Sequence, residues 1–251
     1  MANLLVIDSG VGGIVFLAAA KAQLPQENFI YYADTFYAPY GDKYPETVRR
    51  RLVDIIEYYK PYDIKAIILA CNTTTSSAAS YLRFAYSIPI IGMEPAVKPA
   101  CEQTKSKVLV LATALTVQGE KFQQLKERFP ERDIIGIGCP GLMELVEKMA
   151  PQEEILAYLT EKLNPFMAEK ELALVIGCTH YSYLKREMQQ LLPQAQIFDG
   201  ITGTIRHVKE VLNTFPAQKE QQTGRLLWQS SLPGDYRRIG LPFYEKAQKV
   251  L

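Results

Sequence analysis

"AIILACNTTTSSA", residues 66–78, decides the reading of the fold. The stretch is apolar without a break from Ala66 to Ala70, Cys71 ends it, and Asn72 is followed by three threonines and two serines. A strand with one wet face would alternate apolar and polar residues. An unbroken apolar run is what a strand needs when crossover helices cover its sheet on both faces, as in parallel α/β sheets. In such sheets ligands bind beyond the carboxyl ends of the strands. Cys71 therefore stands where chemistry is expected.

The signature recurs along the chain. "NLLVID", "FIYYAD", "IPIIGM", "KVLVLAT", "DIIGIG", "LALVIGC", "QIFDG" and "RLLWQSS" are further apolar runs separated by helical patterns. Together they predict an α/β fold of mainly parallel strands flanked by helices. Strand order cannot be read from the runs. "LACNTTTSSA" and "IGCTHYSYL" share one plan: an apolar run, a small residue, a cysteine, then polar residues opening a helix. This weak repeat predicts two pseudo-symmetric lobes, with Cys71 and Cys178 on opposite walls of an active-site crevice between them. "FPAQKEQQTG", residues 215–224, has the polarity of a solvated connector ahead of a last strand and helix.

Composition narrows the function classes. The 251 residues are 48% hydrophobic, enough for a sizeable core, and carry a net charge of +1. Neither half has a Lys/Arg run able to neutralise a phosphate backbone, so nucleic acid is not expected as a primary partner. The start "MANLLVIDSG" has no basic segment before its short apolar stretch, and no run approaches the roughly 18 residues of a membrane span. The expected location is the cytoplasm, without membrane association. Cys71, Cys101, Cys139 and Cys178 show no metal-ligand spacing, so no zinc site is expected.

Four strand ends are chemically loaded: Asp8 and Ser9 in "VIDSGVGG", residues 34–41 in "DTFYAPYG", Cys71 to Thr73, and Cys178 to His180. "GVGG" fits neither GxGxxG nor a P-loop, so no nucleotide is expected; its glycines permit a tight turn. A thiolate is the reactive form of cysteine, and a helix start lowers its pKa. Cys178 beside His180 alone would fit a cysteine hydrolase. A second thiol in an equivalent setting fits another task, in which one thiolate removes a proton from carbon and the other thiol returns one to the opposite face. Asn72, Thr73 and Thr179 flank the thiols and can hold an amino acid's ammonium and carboxylate, with Ser9, Tyr40 and Gly41 completing the cradle.

Plainer readings stand beside these. A cysteine is ordinarily a buried, inert thiol that packs like a small hydrophobe. Asp8 and His180 can assist the neighbouring thiols, or simply bond their own turns. Phe36 and Tyr37 fit a loop packed by its own rings as well as they fit ligand contact. His207, between Arg206 and Lys209, reads as a solvated surface residue.

The motifs "DSGVGG", "YYADT...PYG", "ACNT", "EPA", "CPGLMELVE" and "GCTHY", in this order and spacing, resemble the cofactor-independent glutamate racemases from about residue 4 to the C-terminus. The resemblance implies two lobes, residues 1–95 plus 207–251 and residues 96–206, and usually a homodimer. It implies interconversion of L- and D-glutamate without a cofactor, supplying D-glutamate for peptidoglycan. By motif, Cys71 and Cys178 fall on the catalytic thiols, with Asp8 and His180 assisting. Ser9, Tyr40, Gly41, Asn72, Thr73, Thr179 and, more loosely, Thr116 fall on ligand-binding positions, and Glu147 matches an acidic position of the pattern.

The sequence departs from that pattern at "FY" before "APYG", where the family more often has a small and a basic residue, and at Ala96, Gly119 and Gly200. Aspartate and hydantoin racemases share the two-thiol plan, whereas the related decarboxylases keep one thiol. A racemase-like fold kept for a regulatory binding role, and a redox dithiol whose sulfurs close to about 2.05 Å, are the readings from other classes.

Overall fold

The computed structural model describes residues 2–215 and 223–251. Most of the glutamine-rich connector, residues 216–222, lies outside the described residues. The chain forms two compact units, one built on Met1–Glu94 and Ile201–Lys249, the other on Pro95–Gly200.

The first unit contributes strands β1 (Asn3–Asp8), β2 (Asn28–Ala33), β3 (Ile64–Leu69) and β4 (Ile90–Gly92). The second holds β5 (Lys107–Ala112), β6 (Ile134–Gly138), β7 (Leu172–Ile176) and β8 (Ala195–Phe198). The chain then returns to the first unit and adds β9 (Leu226–Ser230) beside β2. All nine predicted runs are strands, and every pairing among the described residues is parallel.

The sheets are covered as the unbroken runs require. Leu4 to Ile7, Ile67 to Leu69 and Val108 to Ala112 have essentially no exposure. In the first unit the helix Pro45–Tyr59, opened by a proline in its first turn, turns Val48, Leu52, Ile55, Ile56 and Tyr59 inward at helical spacing. These side chains join Leu5, Ile7, Ile67, Leu69 and Leu82 in one core. Truncating such a leucine to alanine costs about 2–5 kcal/mol. In the second unit Val97, Val108, Val110, Phe122, Ala173 and Val175 form the corresponding core.

Strand order, which the sequence did not reveal, gives the repeat its meaning. The first sheet runs β4-β3-β1-β2-β9 and the second runs β6-β5-β7-β8. Read from its other edge, the second is β8-β7-β5-β6, so β3 and β7 hold the same place, as do β1 and β5. The match extends to single hydrogen bonds. Ala70 N–H donates to Ile7 C=O at 2.9 Å, and Gly177 N–H donates to Leu111 C=O at 2.7 Å. Asp34 N–H donates to Asp8 C=O at 2.9 Å, and Cys139 N–H donates to Ala112 C=O at 3.0 Å. Cys71 and Cys178 thus follow equivalent strands.

Candidate active site

In the first unit β3 delivers Cys71 as the extended N-cap of the helix Asn72–Ala85. The hydroxyls next to it in sequence have a structural use. Thr74 and Thr75 donate through Oγ1 to the Cys71 carbonyl at 2.7 and 3.2 Å, which fixes the first turn and with it the cysteine backbone. Asn72 Nδ2 donates to Met93 C=O at 3.2 Å, and Thr73 is buried. From the end of β1, Ser9 Oγ lies 4.0 Å from Cys71 Sγ. Asp8 is fully buried and accepts the Gly10 N–H at 2.8 Å. Gly13 makes room for this arrangement: a Cβ there would come 2.8 Å from Asp8 Cβ and 2.9 Å from both Asp8 Oδ2 and Ala70 Cβ.

The end of β2 adds a second buried carboxylate. Arg51 grips Asp34 with both prongs, Nε to Oδ2 at 2.8 Å and Nη2 to Oδ1 at 2.9 Å. The Tyr40 hydroxyl donates to Asp34 Oδ2. Burial, the Asp34 charge and its hydrogen bond, and the nearby Cys71 push the Tyr40 phenol far above its ordinary pKa, so it stays a neutral donor. Gly41 lies beside it in the single helical turn Tyr40–Asp42.

In the second unit β7 leads through Gly177 to Cys178. A Cβ at Gly177 would come 2.7 Å from Ala112 Cβ, so only glycine lets this strand end close on β5. The segment after Cys178 is not the ordinary helix start that the sequence predicts. Cys178 caps a 3₁₀ helix, Thr179–Leu184, and the α-helix begins only at Lys185. Thr179 to Leu184 are all buried, so the segment presents no face to water.

His180 Nδ1 lies 3.9 Å from Cys178 Sγ, and its Nε2 lies 2.9 Å from Glu147 Oε1. A carboxylate on one ring nitrogen fixes which way the other points, here toward the sulfur. Cys139, at the end of β6, is a third thiol in this neighbourhood. Burial and the charge of Cys178 push its pKa up to about 12, so it stays a neutral thiol. Tyr181 donates its hydroxyl to the Cys139 carbonyl at 2.9 Å. Thr116 is buried beyond the end of β5 in the short helix Ala114–Gln118, where Thr113 caps the turn and its Oγ1 lies 3.0 Å from Thr116 Oγ1.

The predicted residues therefore gather into two groups. Asp8, Ser9, Tyr40, Gly41, Cys71, Asn72 and Thr73 lie at strand ends of the first sheet; Thr116, Cys178, Thr179 and His180, with Glu147, lie in the second unit. His207 is exposed, facing Glu210. Phe36 and Tyr37 pack edge to face with centroids 5.2 Å apart, and Phe36 is 67% exposed. Sequence reading missed Arg51. Its signal was its place three residues after Val48 and four before Ile55, on the buried face of its helix. Among the described residues no cluster of three or more His, Cys, Asp or Glu is placed to hold a metal ion. No helix among them is long and apolar enough to cross a membrane.

Comparison with known proteins converges on one family. The Asp/Glu/hydantoin racemase profile matches residues 14–208. A curated glutamate racemase from Halothermothrix orenii is 43% identical over 240 residues, covering 93% of this chain and 94% of its own length. The crystal structure of Escherichia coli glutamate racemase in complex with L-glutamate and the activator UDP-MurNAc-Ala has a TM-score of 0.83 at 27% identity, over 98% of this chain and 96% of that one. Thermus thermophilus glutamate racemase with β-chloro-D-alanine gives a TM-score of 0.78 at 30% identity, covering 96% and 92%. The profile match takes in both cysteine-ended strands and most of the chain, and the chain belongs to the Asp/Glu/hydantoin racemase family.

Proposed function

We propose that the chain interconverts L- and D-glutamate without a cofactor, using Cys71 and Cys178 as the two proton-transfer groups. One observation carries this: equivalent strands of two sheets, β3 and β7, each end in a cysteine that caps a helical segment. In one direction a thiolate takes the α-hydrogen as a proton and becomes a thiol, leaving a carbanion. The other thiol then gives its proton to the opposite face and becomes the thiolate. The enantiomer has formed, and the two sulfurs have exchanged protonation states. The reverse reaction starts from that exchanged state.

The α-carbanion places extra charge on the substrate carboxylate. Donors aimed there favour the transition state over the ground state, each contributing about 3 kcal/mol. Ser9, Tyr40, Gly41, Asn72, Thr73, Thr116 and Thr179 are assigned to holding glutamate, Asp8 to assisting Cys71, and His180, oriented by Glu147, to assisting Cys178. The product D-glutamate would serve peptidoglycan synthesis. The working form is assigned as a cytoplasmic homodimer, which sizing of the purified protein checks.

Circular dichroism of L-glutamate incubated with reduced, purified protein and no added cofactor tests the reading. The signal is expected to decay to zero as an equimolar mixture forms. A constant signal with L-glutamate, and decay with L-aspartate instead, would contradict it.

A further inference from the structure

Tyr40 and Gly41 sit on a surface segment, residues 34–42, that has little regular structure: two single turns of 3₁₀ helix, Thr35–Tyr37 and Tyr40–Asp42. A site held on such a segment needs a rigid support to keep donors within the few tenths of an ångström that catalysis demands. The structure shows one support reaching it from the neighbouring helix. Arg51 enters from Pro45–Tyr59, clamps Asp34 with two hydrogen bonds, and gives Nη2 also to the Tyr32 hydroxyl at 3.0 Å. Its guanidinium carbon lies 4.4 Å from the centroid of the Tyr37 ring.

Asp34, fully buried in its side chain, spends its oxygens on this clamp and on the Tyr40 hydroxyl. The Arg51 side chain keeps only 20% exposure. Asp34 is thus tied to the guanidinium directly and Tyr40 through Asp34, and Tyr37 between them lies against its face. The tie ends beside the helix that Cys71 caps, because the turn Tyr40–Asp42 packs against Asn72–Ala85.

We infer that Arg51 is a positioning residue for the Cys71 half of the site, acting through Asp34 to hold Tyr40 and Gly41 where glutamate is bound. The inference deepens the proposed racemase reading and rests on it. Geometry carries it: a planar, two-pronged cation is what a bidentate carboxylate clamp needs, and lysine offers only a point charge. A basic side chain stacked on Tyr37 also accounts for an aromatic residue in that loop.

The test is a double-mutant cycle on kcat/KM for both enantiomers, with Arg51→Met, Arg51→Lys, Tyr40→Phe and the Arg51→Met/Tyr40→Phe double variant. Arg51→Met is expected to lower kcat/KM about 30-fold and Arg51→Lys about fivefold, the lysine restoring charge but not the fork. The double variant should fall no more than about twofold below the worse single variant, because both changes break the same tie. A purely structural Arg51 would give effects that multiply, and that result overturns the inference. So does an Arg51→Met protein with wild-type kcat/KM. If Arg51→Met does not fold, Arg51→Lys, which keeps the buried charge paired, and the Arg51→Lys/Tyr40→Phe double variant carry the cycle, with the same non-additivity expected. A wild-type protein inert toward both enantiomers would instead overturn the racemase reading itself, and the inference with it.

Discussion

At the end of β3 the thiol of Cys71 has neighbours drawn from its own sheet: Ser9 after β1, and Tyr40 tied to Asp34 after β2. At the end of β7 the thiol of Cys178 has His180 two residues on, backed by Glu147 from a helix outside the sheet. The backbones correspond in two pairs of hydrogen bonds at these strand ends, yet the side chains do not. Through those bonds Asp8 corresponds to Ala112 and Asp34 to Cys139. Where one half carries a buried carboxylate, the other carries a methyl group or a thiol. The shared strand order sets a sulfur at the same position in each half, and each half supports it by its own side chains.

That asymmetry has a kinetic consequence under the proposed reaction. Enantiomers are equal in free energy, so kcat/KM must be the same in both directions. Unequal support of the two thiols can therefore appear only in kcat and KM taken separately. Removing either sulfur gives the largest effect: Cys71→Ala and Cys178→Ala should each lower racemisation about 10³-fold or more. Each should still exchange the α-hydrogen of one enantiomer with solvent deuterium, and the two variants should choose opposite enantiomers. Exchange of the same enantiomer by both would break the comparison.

A smaller effect sharpens it. Glu147→Gln takes the carboxylate from His180 and should lower kcat about tenfold, the size of one charge-assisted hydrogen bond. The loss should differ between the two directions, with kcat/KM falling equally in both, as steady-state assays from each enantiomer would show. Equal changes in kcat from both sides would place Glu147 outside the chemistry of one half. Next come the glycines that let each strand end close. Gly13→Ala drives a Cβ into Asp8, and Gly177→Ala drives one into Ala112. Each should destabilise the protein by about 1–3 kcal/mol in urea unfolding.

The smallest effect concerns Cys139. Its folded pKa of about 12 stands above the ordinary value of 9.0, so the folded protein keeps a proton that the unfolded chain loses. Stability from this group is complete below pH 9 and declines as the pH rises toward 12. Cys139→Ala should therefore flatten the loss of stability between pH 9 and 10.5, measured as the urea midpoint against pH. An unchanged slope would show that the thiol titrates alike in the folded and unfolded protein, so that burial does not raise its pKa.

Much of this was open to sequence reading because short apolar runs bounded by turn residues suit strands covered on both faces. β1, β3, β5 and β7 are buried on both sides, and their ends marked Asp8, Cys71 and Cys178. Strand order was closed to it, since the run "KVLVLAT" says nothing of which strand it pairs with. The equivalence of β3 and β7 therefore appeared only in the structure. The contact of His180 with Glu147 spans 33 residues and depends on how a helix packs. Arg51 was hidden for another reason. In "RRR", residues 49–51, only helical phase separates the arginine that reaches Asp34 from its two neighbours. The 3₁₀ helix after Cys178 escaped because "THYSYL" is buried on every side and offers no amphipathic period.

The central claim is that two different sulfurs serve the two faces of one carbon. Proton NMR of L-glutamate with wild-type protein in deuterium oxide, read in the first few per cent of conversion, tests it most directly. The account predicts that the D-glutamate formed carries deuterium at Cα while the remaining L-glutamate keeps its hydrogen, because the group that removes the proton is not the group that returns one. Deuterium entering both enantiomers at equal rates would mean a single group serving both faces, and would contradict it.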